Sequence, residues 1–176
     1  MKKIFAALLS ICLLLSAVAT YADSTAEPGL TNLTWESVQE EASAIEGETV
    51  NIPDTPYSIF LPAGFRDRGV TEDQSQKGLL LNREWEALNV TLKCQKMPLD
   101  ITSFLATYSN EEALAFGESC TINGREAYCL GFTGNPGSIQ FHILVQADEG
   151  YTLQLIIDGY QFQPELPLVI IMSSIR

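Results

Sequence analysis

The chain of 176 residues holds one histidine, His142, four cysteines, and ten basic residues against twenty-two acidic ones. Each scarcity excludes something. A single imidazole rules out a histidine-rich metal site. It also means that any Ser-His-Asp or Cys-His arrangement has to use His142 to take the nucleophile's proton. The shortage of lysine and arginine repels phosphate backbones and anionic headgroups, which excludes nucleic acid as a partner. Beyond the N-terminal segment no apolar run is long enough to cross a bilayer as a helix. There is no Cys-x-x-Cys pair, glycine-rich phosphate loop, dinucleotide fingerprint or EF-hand spacing, so no cofactor and no metal is expected. Acidic pairs such as Glu40-Glu41, Glu111-Glu112 and Asp148-Glu149 read as solvated faces that keep the protein soluble.

What is present begins with an address. Lys2 and Lys3 precede an apolar run over residues 4–18, and small residues follow before Asp23. This is the pattern of a secretory signal peptide over residues 1–22, cleaved after Ala22 or, alternatively, after Ala19. Its removal leaves eight basic residues against twenty-two acidic ones, a net charge of −14. The expected location is secreted or extracytoplasmic, in the periplasm or at the cell surface of a bacterium. Three cysteines remain, Cys94, Cys120 and Cys129, in a compartment that permits disulfides. Cys120 and Cys129 flank Asn123-Gly124, the strongest short-range hairpin signal. A two-residue turn there sets Cys120 opposite Ala127 and only diagonal to Cys129, about 7–8 Å away and too far for an unstrained bridge. A four-residue loop sets the two cysteines face to face, where a disulfide would pin the hairpin. Cys120 and Cys129 are therefore the candidate disulfide, with a bridge from Cys94 to either of them, or three free thiols, as the alternatives.

The main organising stretch is residues 138–158. Ile139, Phe141, Ile143 and Val145 alternate with polar residues, and the alternation resumes at Tyr151, Leu153, Leu155 and Ile157. A three-residue loop, Asp148-Glu149-Gly150, pairs Val145 with Leu153, Ile143 with Leu155 and Phe141 with Ile157. Leu144 and Ile156 make the other face apolar too, so both faces should be covered. His142 shares that second face and reads as a structural histidine with a hydrogen bond rather than a catalytic base.

In chain order, residues 23–46 are small, polar and acidic, and read as a flexible lead-in. Leu33, Trp35 and Val38 offer one loosely amphipathic turn within it. The folded domain spans residues 47–176. Strands are expected over 49–52 and 57–61, a loop over 70–77, a short buried run at 79–81 and a strand over 87–97. A helix capped by Asp100 follows, carrying Ile101, Phe104, Leu105 and Tyr108. Two strands around Asn123-Gly124, the central hairpin and a closing helix over 164–175 complete the chain.

This order, together with particular residues, resembles the PsbP-like superfamily, which includes DcrB-like bacterial envelope proteins. Tyr57-Ser58-Ile59-Phe60-Leu61-Pro62-Ala63-Gly64-Phe65 is similar to that family's strand ending in Pro-x-Gly-aromatic. Ile122-Asn123-Gly124-Arg125-Glu126-Ala127-Tyr128 resembles its glycine-polar-Ala-Tyr hairpin. Ser173-Ser174-Ile175-Arg176 resembles its closing Ser-aromatic-Arg, with Ile175 in place of the aromatic residue. The resemblance implies an α+β fold, an α/β/α sandwich with a largely antiparallel central sheet flanked by helices. It also implies non-enzymatic roles as accessory subunits and protein-binding factors, and carries no catalytic residues with it. The expected function is that of an exported, monomeric, non-catalytic domain binding another envelope or secreted protein. Tyr57, Phe65, Trp85 and Tyr160 are the candidate contacts wherever they are exposed. The rival expectation is a small-ligand module with a pocket between the sheet and the helix near Phe104.

Overall fold

The computed structural model describes residues 31–108, 114–133, 138–148, 150–160 and 167–176. The expected signal peptide, both expected cleavage positions and the first residues of the expected closing helix, 164–166, lie outside the described residues. Ten strands are seen: β1 (Thr31–Leu33), β2 (Gly47–Asn51), β3 (Ser58–Pro62), β4 (Arg66–Asp67), β5 (Leu79–Trp85), β6 (Val90–Met97), β7 (Leu114–Ile122), β8 (Arg125–Thr133), β9 (Ile139–Gln146) and β10 (Thr152–Tyr160). The described helices are α1 (Trp35–Ser43), α2 (Glu72–Gln76), α3 (Ile101–Tyr108) and α4 (Leu168–Ser173). Eight strands form one sheet in the order β1-β7-β8-β9-β10-β6-β5-β4, and β2 and β3 form a separate ribbon.

The centre of the sheet follows from alternation. In the β9–β10 pair Val145 faces Leu153, Ile143 faces Leu155 and Phe141 faces Ile157. Gly150 closes the loop with φ 76°, where a side chain would be strained. Phe141, Ile143, Leu153, Leu155 and Ile157 are buried on one face beside Val90, Leu92 and Cys94 of β6. The β2–β3 ribbon, through Ile52, Ile59 and Leu61, and α4, through Ile171 and Met172, cover that face. The opposite face buries Leu130, Phe132 and Leu144 beneath Ile101 and Phe104 of α3. Asp100 caps α3 by accepting the Ser103 N–H at 2.7 Å. The result is an α+β fold with a mostly antiparallel sheet and helices on both faces.

The flexible lead-in expected over residues 23–46 is corrected from residue 31 onward. Thr34 caps α1, its hydroxyl accepting from Ser37 N–H, and Val38 and Ala42 bury a narrow stripe against Phe60 and Ile170. β1 pairs in parallel with β7, the one departure among the described strands from antiparallel order. The loop expected over 70–77 contains α2, started by a reciprocal capping box between Thr71 and Gln74.

Candidate functional site

The four aromatic residues expected at a partner surface divide into two pairs. Tyr57 and Tyr160 lie in the core, 4% and 6% exposed, which corrects their assignment as contacts. The Tyr57 hydroxyl accepts from Asp148 N–H at 3.3 Å, and its ring lies beneath Arg125. Tyr160 stacks edge-on against Phe141, with centroids 5.1 Å apart. Both side chains are spent on packing.

Phe65 and Trp85 come together at the β4 end of the sheet. Their rings meet edge-to-face with centroids 5.4 Å apart, and each is half-buried. The Pro-x-Gly-aromatic sequence explains the meeting. Gly64 takes φ 122°, and a Cβ there would sit 2.4 Å from the Trp85 ring. Only glycine lets the chain turn under the indole and present Phe65 beside it. Charges frame the pair in opposite-signed couples. Arg68 Nε lies 2.9 Å from Glu84, Arg66 lies 3.7 Å from Glu86, and Arg83 lies 3.3 Å from Asp67. The arginines escaped the sequence reading. Their signal was the β4–β5 register, Arg66 opposite Glu84 and Asp67 opposite Arg83, which no local pattern announces.

His142, the only imidazole, is 8% exposed and belongs to a row of amides. Its Nδ1 accepts from Gln154 Nε2 at 2.9 Å, and its Nε2–H donates to Gln140 Oε1 at 2.8 Å. Gln95 Nε2 donates in turn to Gln154 Oε1. This set suits the neutral ring, and burial lowers the His142 pKa to about 4, against a smaller opposing pull from Asp158. Two glutamines bind it, and the Phe132 ring lies 4.8 Å away between centroids. These contacts hold and orient the ring. Among the described residues no three histidine, cysteine or carboxylate side chains gather to hold a metal.

The turn at Asn123-Gly124 has two residues, with φ 49° and 76°, so Cys120 pairs with Ala127 and Glu118 with Cys129. The four-residue loop is absent and all three thiols are free, so the structure carries no Cys120–Cys129 bridge. Burial raises the Cys120 pKa to about 11, with Glu118 adding to it, and burial likewise raises Cys94 and Cys129. Buried, protonated thiols are poor nucleophiles. A thiol reagent should therefore count three thiols in denaturant without reductant, and fewer than one within minutes in the native protein. A denatured count below three would restore a bridge. Around Phe104, where a ligand pocket was expected, Ile101, Leu130, Phe132 and Leu144 form a buried apolar cluster between helix and sheet.

No family model matches the chain, and no curated protein matches it. Among solved structures it is similar to the solution structure of cyanobacterial PsbP (CyanoP) from Synechocystis sp. PCC 6803. The identity is 11% and the TM-score 0.52, over 75% of this chain and 92% of that one. That likeness shows a PsbP-like fold.

Proposed function

We propose that this is an exported, non-catalytic domain acting as an accessory or protein-binding factor of the cell envelope, related in role to DcrB-like envelope proteins. The carrying observation is the half-buried Phe65–Trp85 pair at the end of the sheet, framed by Arg66 and Arg68. Aromatic and arginine side chains held rigidly at a surface are the composition of binding hot spots, and Gly64 fixes this pair in place before any partner arrives. Export rests on Lys2, Lys3 and the apolar run after them. No helix among the described residues is long and apolar enough to cross a membrane.

Capture from the host's own envelope extract, with the tagged exported chain as bait, tests the reading. One saturable partner is expected. Trp85→Ala should weaken its binding by about 30-fold, the scale of a hot-spot residue. Arg66→Glu, at a well-exposed side chain, should weaken it by several-fold without altering the fold. A partner that binds both variants as tightly as the parent would remove this surface from the reading.

A further inference from the structure

The β2–β3 ribbon carries a surface unlike the aromatic pair. In it Gly47 lies opposite Pro62, Thr49 opposite Phe60 and Asn51 opposite Ser58. Ile52 N–H donates to Tyr57 O at 2.8 Å, and Ala63 N–H donates to Glu46 O at 2.7 Å. Antiparallel alternation therefore turns the polar backbone groups of Glu48 and Val50 toward β3 and those of Gly47, Thr49 and Asn51 away from it. On its far side β3 is already occupied. Ser58 exchanges backbone hydrogen bonds with Arg176, and Phe60 N–H donates to the Ser174 hydroxyl. β2 is thus the ribbon's outer edge. Four of its five residues are exposed, and among the described residues nothing pairs with its three outward N–H groups.

Edges of this kind are usually blunted by lysine, proline or a bulge. This one runs regular for five residues and is stopped only by Pro53, which would hold the next outward position and has no N–H. The charged residues of the segment that carries it are all acidic. Glu36, Glu40, Glu41, Glu46, Glu48 and Asp54 are all exposed, and residues 31–56 contain no lysine or arginine. Arg176, which pairs with Ser58 on the far side of β3, is held over the Trp35 ring at 4.2 Å.

We propose that the β2 edge takes up an extended, lysine- or arginine-rich segment of a partner protein as an added strand. The backbone ladder at Gly47, Thr49 and Asn51 supplies the pairing, and the exposed carboxylates in and beside the strand, Glu46, Glu48 and Asp54, select basic side chains. A second copy of this chain fits worse. Edge-to-edge pairing would bring Glu46 and Glu48 of both copies together in a protein of net charge −12. The inference rests on the protein-binding reading for the nature of the partner, but it uses a separate surface.

The test uses an end-capped, fluorescein-labelled seven-residue peptide alternating lysine with valine, titrated with the full exported chain at low salt and read by anisotropy. Saturable binding is expected, weakened about tenfold by Thr49→Pro. That change removes the central outward N–H and no bond to β3. In the parent protein the peptide should slow amide exchange at Gly47, Thr49 and Asn51 several-fold while leaving Glu48 and Val50 unchanged. This second measurement decides the matter should the proline variant fail to fold. The Trp85→Ala variant should bind the peptide normally, so failure of the aromatic surface and failure of the edge are told apart. Equal binding by Thr49→Pro, protection appearing elsewhere, or self-association through β2 in place of peptide binding would each overturn the proposal.

Discussion

Asn123→Ala should destabilise the domain by about 4 kcal/mol, the largest loss expected from a single polar substitution here. Asn123 lies in the left-handed region, φ 49°, where alanine is strained by about 1 kcal/mol. Its amide also joins three elements distant in sequence. Oδ1 accepts from Trp35 N–H at 2.8 Å where α1 begins. Nδ2 donates to Ser173 O at 2.8 Å and to Ile175 O at 2.7 Å, at the end of α4. Its own N–H donates to Leu33 O at 2.8 Å. Truncation strands one donor and two carbonyls in part-buried surroundings, each costing about 1 kcal/mol. Asn123→Gly keeps the turn and loses only the clamp, so it should recover about 1 kcal/mol of the loss. Asn123→Asp keeps one acceptor but sets a carboxylate against two carbonyl oxygens, and should be no better than alanine. Urea midpoints at constant m-value give the order. Equal stability of the alanine variant and the parent would show that the clamp contributes nothing.

The two roles of Asn123 show where the sequence was legible. Asn123-Gly124 announces a turn locally, and the turn is there with the expected left-handed residues. The clamp is invisible because its partners stand 88, 50 and 52 residues away. The β9–β10 register was readable for a similar local reason. Strict alternation on both sides of Asp148-Glu149-Gly150 leaves one alignment that keeps the apolar face whole. Residues 31–46 misled because α1 buries only Val38 and Ala42, too thin a stripe to stand out among glutamates. Tertiary packing against Phe60 and Ile170 decided it. Of the aromatic candidates, Phe65 was placed by Gly64, a signal in the sequence. Tyr57 and Tyr160 were not separable from surface aromatics, because a phenol serves a core or a surface equally well. The row Gln95, Gln154, His142 and Gln140 was half visible. Alternation puts His142 and Gln140 on one face, whereas alignment with Gln95 needs the β6–β10 register, in which Gln154 lies opposite Gln95.

That row makes stability depend on pH in a window set by His142. An unfolded histidine titrates near 6.5, and burial lowers the folded value to about 4. Between those limits the unfolded chain holds a proton that the folded one refuses. Stability therefore rises with pH across the window and falls as pH drops from 6.5 toward 4. The loss should reach about 2 kcal/mol by pH 4, allowing for partial solvent access to the ring. Geometry agrees with the sign. Protonating Nδ1 sets a donor against the Gln154 amide nitrogen, and turning that amide breaks the bond it accepts from Gln95. Asp158 on the same face favours the charged ring only weakly. Lys93 lies two strands across in register through Ile156. Asp100, whose pKa is lowered by hydrogen bonds from Ser103, acts below its unfolded value near 3.8 and leaves the window clear. His142→Gln keeps a neutral side chain at every pH. Urea melts at pH 4, 5, 6 and 7 should show a steep loss of stability in the parent and a much flatter one in the variant. The same slope in both would place the acid sensitivity in the carboxylates and leave His142 without influence on it.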